Sequence, residues 1–149
     1  MSKFFQALLT GIFFTFILDF FIFLGIKLNY IDFYEIDLYY NILFADNQSF
    51  ILYTIFSAII GYVVIYVNNN KVSAIILGIL LFITSLTLIS PIGYQLGEMM
   101  FMQKNVTLQD ERHTYVGDIY YDGRKRVTFY DYNLKKVINL DKNRLKGKD

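Results

Sequence analysis

Three long apolar runs fill the first two thirds of the chain, and their length predicts helices that cross a membrane. The runs cover residues 4–26, 50–67 and 72–94, with polar stretches between them. At 1.5 Å per residue, about 20 apolar residues span the roughly 30 Å hydrocarbon core of a bilayer. The first run is longer than the apolar part of a signal peptide, so we expect an uncleaved anchor.

From residue 103 onward, the pattern changes to β-branched and aromatic runs between charged residues. Three runs have this character: 114–121, 126–132 and 136–140. Asp122-Gly123, a strong hairpin signal, and Asn133-Leu134 separate them. We therefore predict a small antiparallel β-meander, which needs a further surface to pack on because so few strands are not stable alone.

These patterns predict a membrane α-helical protein, α+β overall, with a three-helix transmembrane domain at 1–102 and an extramembrane β-meander tail at 103–149. The composition agrees, because 55% hydrophobic residues and a mean hydropathy of +0.39 are too apolar for a soluble fold of this length. The lack of cysteine excludes disulfides and thiolate metal sites. Abundant Phe, Tyr, Ile, Lys and Asn are typical of an AT-rich bacterial genome, so we expect the inner (plasma) membrane.

The polar stretch at 27–49 mixes carboxylates with aromatic residues, a combination that suits the headgroup level of a membrane. Helical spacing of apolar residues at 31–43 predicts a short interfacial helix. A loop whose rings cover the end of the helices fits the same residues, and the pattern leaves both interpretations open.

Small residues recur every fourth position on all three predicted spans, which allows close approach of helix backbones in a membrane. The packing residues are Ala7, Gly11, Thr15, Gly61, Ala74 and Gly78. The short connection at 68–71 predicts a tight antiparallel hairpin of the second and third helices, with its two glycines in contact. Pro91 predicts that the third helix ends or kinks, with Ser90 as the cap of a second helical piece.

One carboxylate, Asp19, lies inside the first predicted span, and no Lys, Arg or His lies in any of the three. Counted from the same membrane side, it falls level with Ser57 and with Thr84 or Thr87. We predict an intramembrane polar layer of these residues. A proton or cation pathway, a docking acid for a partner helix and a simple interhelical hydrogen bond are the three interpretations of Asp19.

The segment 27–49 and the tail must emerge on one side of the membrane, because two spans separate them. The segment is acidic, whereas the tail holds eleven Lys and Arg against seven Asp and Glu. We predict that they pack on each other, the alternative being that both are solvated. Lys3 and Lys71 favour a cytoplasmic N-terminus and an outer tail, although the basic tail argues the reverse.

Candidates for chemistry are few. Asp110, Glu111 and His113 could hold a metal or shuttle protons, but a solvated linker is the favoured interpretation. The triplet Arg124-Lys125-Arg126 could touch nucleic acid or anionic lipid, and a solvated hairpin end is favoured.

The sequence therefore predicts no catalytic site, cofactor, metal or nucleic-acid partner. We expect a non-catalytic accessory, assembly or scaffold subunit of a larger membrane complex, in contact with lipid and with another membrane protein or a second copy. The alternative is an oligomeric channel or transporter component that uses Asp19.

Overall fold

The computed structural model describes residues 2–110 and 113–146 and shows an α+β fold. Five helices come first in the chain: α1 Lys3–Ile26, α2 Tyr40–Asn47, α3 Phe50–Tyr66, α4 Asn70–Ser85 and α5 Ser90–Phe101. Five strands follow: β1 Gln103–Asp110, β2 Thr114–Asp122, β3 Arg126–Asp131, β4 Lys136–Asp141 and β5 Leu145–Lys146.

Helix α1 contacts all four other helices. It is also longer than the predicted span at 4–26. It continues through a π-helical turn at Lys27–Ile31. By length and composition, two helical segments could cross a membrane, Lys3–Ile31 and Asn70–Leu88. Helices α2 and α3 would add a third crossing if they count as one span, although they meet at 86°.

The segment after α1 agrees with the loop interpretation over residues 32–39, and its rings pack at the end of the helices. The predicted helix at 31–43 is not formed, because the chain turns at Asp32 and Glu35 takes a positive φ of 51°. A later and shorter helix, α2, lies nearly perpendicular to α3 instead. Lys27 and Asp32 form an ion pair across the π-helical turn.

The predicted third span at 72–94 is broken into two helices just before Pro91, as the predicted break at this proline required. Helix α4 ends at Ser85, a 3₁₀ turn covers Leu86–Leu88, and α5 starts at Ser90 with proline in its first turn. Pro91 has no N–H to donate to the carbonyl four residues earlier, so the α-helix cannot run through this point. Ile89, and not the predicted Ser90, occupies the N-cap position.

The tail forms a five-stranded antiparallel sheet in the order β4-β3-β2-β1-β5. The predicted hairpins of β2, β3 and β4 are confirmed, whereas β1 and β5 were not expected. Only Lys142–Arg144 separates the two edge strands, yet the edges of a flat sheet would be roughly 19 Å apart at about 4.8 Å per strand. The sheet therefore curls, and it encloses a core of Leu108, Ile119, Val127 and Phe129.

Candidate functional site

Helix α3 packs on α1, and not on α4 as the predicted hairpin required. A Cβ built on Gly11 would overlap the Ser57 carbonyl, and one built on Gly61 would overlap the Ala7 carbonyl. Gly78 meets no atom within 4 Å, so the predicted contact between the two glycines is wrong. The physical reason is that α3 has one face of small residues, Ser57 and Gly61, and this face packs against α1.

Helices α3 and α4 touch near their connection. The Ser73 hydroxyl donates to the Val63 carbonyl at 2.8 Å. Ala74 is exposed, and Gly78 borders an apolar gap of about 170 Å³ between α1 and α4, near Phe14 and Leu81.

The four residues of the predicted polar layer are not brought together. Asp19 accepts a hydrogen bond from the Gln48 side chain at 2.9 Å, just before α3 begins. Ser57 lies at the level of Gly11, about two helical turns away along α1. The Thr84 hydroxyl donates within its own helix, to the Leu80 carbonyl at 3.0 Å.

Thr87, the last member of that layer, belongs to the contact between α1 and the break before α5. Its hydroxyl lies 2.9 Å from the Phe21 carbonyl and 2.7 Å from the Thr84 carbonyl. The prediction placed Asp19 and Ser57 at one depth by counting residues from the end of each span. It is wrong because α1 continues past Ile26, so the polar ends of α1 and α3 are not at one level. Ser57 and Thr15 keep buried hydroxyls without a hydrogen-bond partner among the described residues.

The Asn29 side chain hydrogen-bonds the backbone carbonyls at the helix break before Pro91. Its amide nitrogen lies 3.0 Å from the Gly25 and Thr87 carbonyl oxygens and 3.2 Å from that of Leu88. The carbonyls freed by the 3₁₀ turn are thus satisfied by a side chain of the neighbouring helix, as buried backbone groups require.

Glycines let α5 approach this end of α1. A Cβ on Gly93 would overlap the Thr87 carbonyl and crowd the Asn29 amide, and a Cβ on Gly97 would overlap the Tyr30 ring. Sequence reasoning missed this contact, although the two glycines have the same four-residue spacing that identified the other packing faces.

The sheet rests on a cluster of tyrosines at the same end of the bundle. The Tyr34 and Tyr94 hydroxyl oxygens are 2.5 Å apart, and the Tyr34 ring lies 4.0 Å from the Tyr120 ring, centroid to centroid. The buried Tyr30 donates from its hydroxyl to the Tyr120 carbonyl at 2.7 Å. This tyrosine cluster joins the segment after α1, helix α5 and strand β2.

A β-bulge in β2 turns two consecutive tyrosines toward the helices. Ile119 pairs with Phe129 and Tyr121 pairs with Thr128, which leaves Tyr120 as the extra residue. Ile119 therefore stays in the core of the sheet, while the Tyr121 ring lies 5.3 Å from the Phe101 ring at the end of α5.

Opposite charges add to this junction, as the acidic segment and the basic tail predicted. Arg124 forms a two-pronged ion pair with Asp46 of α2. Lys104 of β1 also pairs with Glu98 at 2.5 Å, but Glu98 belongs to α5 and not to the 27–49 segment. The predicted packing of the 27–49 segment on the tail is therefore present in the structure.

The junction changes the acid–base behaviour of its tyrosines. Burial first, and then the hydrogen bond to Tyr94, raise the pKa of the Tyr34 hydroxyl above its usual value. Burial also raises the pKa of Tyr120, with the Asp118 charge adding to the effect. A phenol that ionises only at high pH remains a neutral hydrogen-bonding group at physiological pH.

The predicted acid–histidine run is not assembled into a metal site in the part of the chain that the structure describes. Glu111 lies outside the described residues. The His113 ring neighbours the Tyr115 ring at 6.2 Å. No group of three His, Cys, Asp or Glu residues within 2–110 and 113–146 is arranged to hold a metal ion.

No protein-family model, curated protein or solved structure matches this chain.

Proposed function

We propose that this chain is an integral membrane protein that crosses the bilayer three times and acts as a non-catalytic accessory or scaffold subunit of a larger membrane complex. Its three crossings would be α1, α3 and α4 with the following 3₁₀ turn. Its task would be to hold the curled sheet at a fixed height and orientation on one membrane surface.

The exposure of apolar side chains supports this membrane position. Measured from Phe4, a hydrocarbon core of about 30 Å ends near Phe23 of α1. Large apolar side chains face outward between these levels, with Phe50 80% and Phe82 65% exposed. Helix α2 is bent across the end of α3 beside the last two turns of α1 within the core, since the Phe44 ring contacts those of Phe16 and Phe23.

The observation that carries the scaffold proposal is the attachment of the sheet. A tethered domain would need only the chain connection at Met102, but this sheet is also held by the tyrosine cluster and by the Arg124–Asp46 pair. The contacts come from the segment after α1, from α2 and from Phe101 at the end of α5. Contacts at three separate places fix the orientation of the sheet as well as its distance from the helices.

A partner in the membrane has a place to bind. The gap beside Gly78 is apolar and lies between α1 and α4. Gly78 is the one small residue among those that line this gap, and a small residue lets a further helix approach closely in lipid. Asp19 is bound by Gln48 near one end of α3, a position that favours a structural role for this carboxylate over the channel alternative.

Two lysines at the end of the helices away from the sheet support the orientation that we propose. Lys3 and Lys71 lie where α1 and α4 begin, and positive residues stay on the cytoplasmic side. The sheet would then lie on the outer surface of the inner membrane.

The proposal is tested by purifying a C-terminally tagged copy from its native host in mild detergent, at native expression. We expect a membrane protein to copurify in fixed stoichiometry. The Gly78→Leu variant fills the gap and should lose this partner, whereas Ile79→Leu, on an exposed position of the same helix, should keep it. A particle that contains only copies of this chain would contradict the proposal and favour the channel alternative.

A further inference from the structure

We infer that a cavity between the 37–42 segment and the β2–β3 hairpin binds the phosphate group of an anionic phospholipid, an inference that rests on the proposed membrane position. The cavity has a volume of about 460 Å³. Leu38 and Ile42 form an apolar wall, and Lys125, Arg126 and Asn139 bring N–H donors.

Two cations of this cavity form no ion pair among the described residues. Lys125 and Arg126 are exposed and are absent from the ion pairs of the described residues. Arg124, in contrast, is engaged by Asp46. An incoming phosphate would therefore meet two available charges, next to a third cation that is already oriented.

A neutral donor and one acid complete the polar lining. The Thr128 hydroxyl donates to Asn139 Oδ1 at 3.0 Å, which leaves the Asn139 amide nitrogen as a donor. Asp37 is the acid on the facing segment. Among the lining residues, two cations outside the ion pairs face this one carboxylate, so the lining favours an anion over a cation.

The position of the cavity relative to the membrane favours a lipid headgroup as its ligand. The Arg124–Asp46 pair fixes the hairpin beside the end of α2, and only two residues further on Gln48 binds Asp19 of α1. Phe50, the next residue but one, is 80% exposed and begins the apolar surface of α3. The basic hairpin thus lies at the border between apolar and polar surface, where phospholipid phosphates lie.

The test uses the full chain in nanodiscs that contain equal amounts of phosphatidylglycerol and phosphatidylcholine. Lipids retained after release of the protein are counted by native mass spectrometry. We expect the wild type to retain phosphatidylglycerol selectively, and the double variant Lys125→Gln, Arg126→Gln to retain it at least tenfold less. Asp37→Asn removes a repulsive charge and should raise the retention.

The matched control is Lys135→Gln with Lys136→Gln, which removes the same charge from the last turn residue and the first residue of β4, at the opposite end of β3. Equal losses in both double variants, or no selectivity in the wild type, would overturn the inference. Inorganic phosphate is also tested with the detergent-solubilised protein. If it binds as strongly as phosphatidylglycerol and depends equally on Lys125 and Arg126, the site binds a free anion and the lipid inference is wrong.

Carbonate extraction separates this inference from the proposed function. If the protein stays in the membrane pellet but shows no lipid selectivity, the inference fails while the membrane proposal stands. If carbonate releases the protein, both fail.

Discussion

The side-chain amide of Asn29 lies 3.0 Å from the backbone carbonyl oxygen of Thr87, which is the carbonyl that Pro91 leaves without a helical partner. This contact joins the end of α1 to the break between α4 and α5. The break can therefore be buried against a neighbouring helix, and α5 can turn toward the sheet.

Replacing Asn29 by alanine should destabilise the protein by about 1 kcal/mol, because partly buried carbonyl oxygens would lose their donor. Asn29→Asp should cost more, since a carboxylate would face the same oxygens. Thermal unfolding in detergent measures both effects. Asn41→Ala, on an exposed position of α2, is the control and should change little; an equal loss there would remove the role that we assign to Asn29.

A pair of glycine substitutions tests the helix packing. Gly11→Ala should separate α1 from α3, because the new Cβ would overlap the Ser57 carbonyl, whereas Gly78→Ala has open space. We expect the first change to lower the unfolding temperature, and the second to leave it unchanged or to raise it through better helix propensity. The reverse order would show that α3 packs against α4, as the sequence had suggested.

The tyrosine cluster predicts a loss of stability in alkali. The folded state raises the pKa of Tyr34 above that of the unfolded chain, about 10. The stabilising contribution is therefore fully present below about pH 10 and is lost as the pH rises above it. Chemical unfolding at about pH 8 and about pH 11 measures this loss.

The variant Tyr34→Phe should show a smaller difference between the two pH values, since the group that titrates is gone. Tyr39→Phe is the control, because the Tyr39 side chain is 71% exposed. If both variants keep the full pH dependence, ionisation of Tyr34 does not limit the stability of the junction.

Asp131 should be the acid on which the β3–β4 turn depends. It is 2% exposed, and its Oδ1 accepts from the backbone N–H groups of Asn133 at 2.7 Å and Leu134 at 3.0 Å. Asp131→Ala leaves both donors unpaired and should cost about 1–3 kcal/mol. Asp131→Asn retains an acceptor and should cost less, and hydrogen exchange at Leu134 measures the local effect. Equal protection in the two variants would contradict this account.

The sequence predicted elements well where one physical signal dominated. The apolar runs located α1 and α3, and Asp122-Gly123 located the β2–β3 hairpin. Strand β1 was missed because Val106 and Leu108 are its only large apolar residues among polar ones, so its pairing partner, and not its own pattern, determines it.

Depth and partner choice could not be read from residue counts. Asp19 and Ser57 were placed at one level on the assumption that both helices start at the same polar boundary, but α1 continues to Ile31 through the π-helical turn. The bulge at Tyr120 was equally hidden, because a register shift depends on the strand opposite. These two features position the tyrosine cluster, so the junction itself was not predictable in detail.

The tyrosine cluster and the Arg124–Asp46 pair hold the sheet on the end of the helices. The chain has no cysteine, so spin labels can be attached at Asn41→Cys in α2 and at Leu134→Cys in the β3–β4 turn, and their distance distribution measured by electron paramagnetic resonance in nanodiscs. We predict a single narrow distribution that broadens when Tyr34→Ala and Tyr120→Ala are added. A broad distribution in the background with both tyrosines intact would show a freely tethered sheet and contradict the scaffold account.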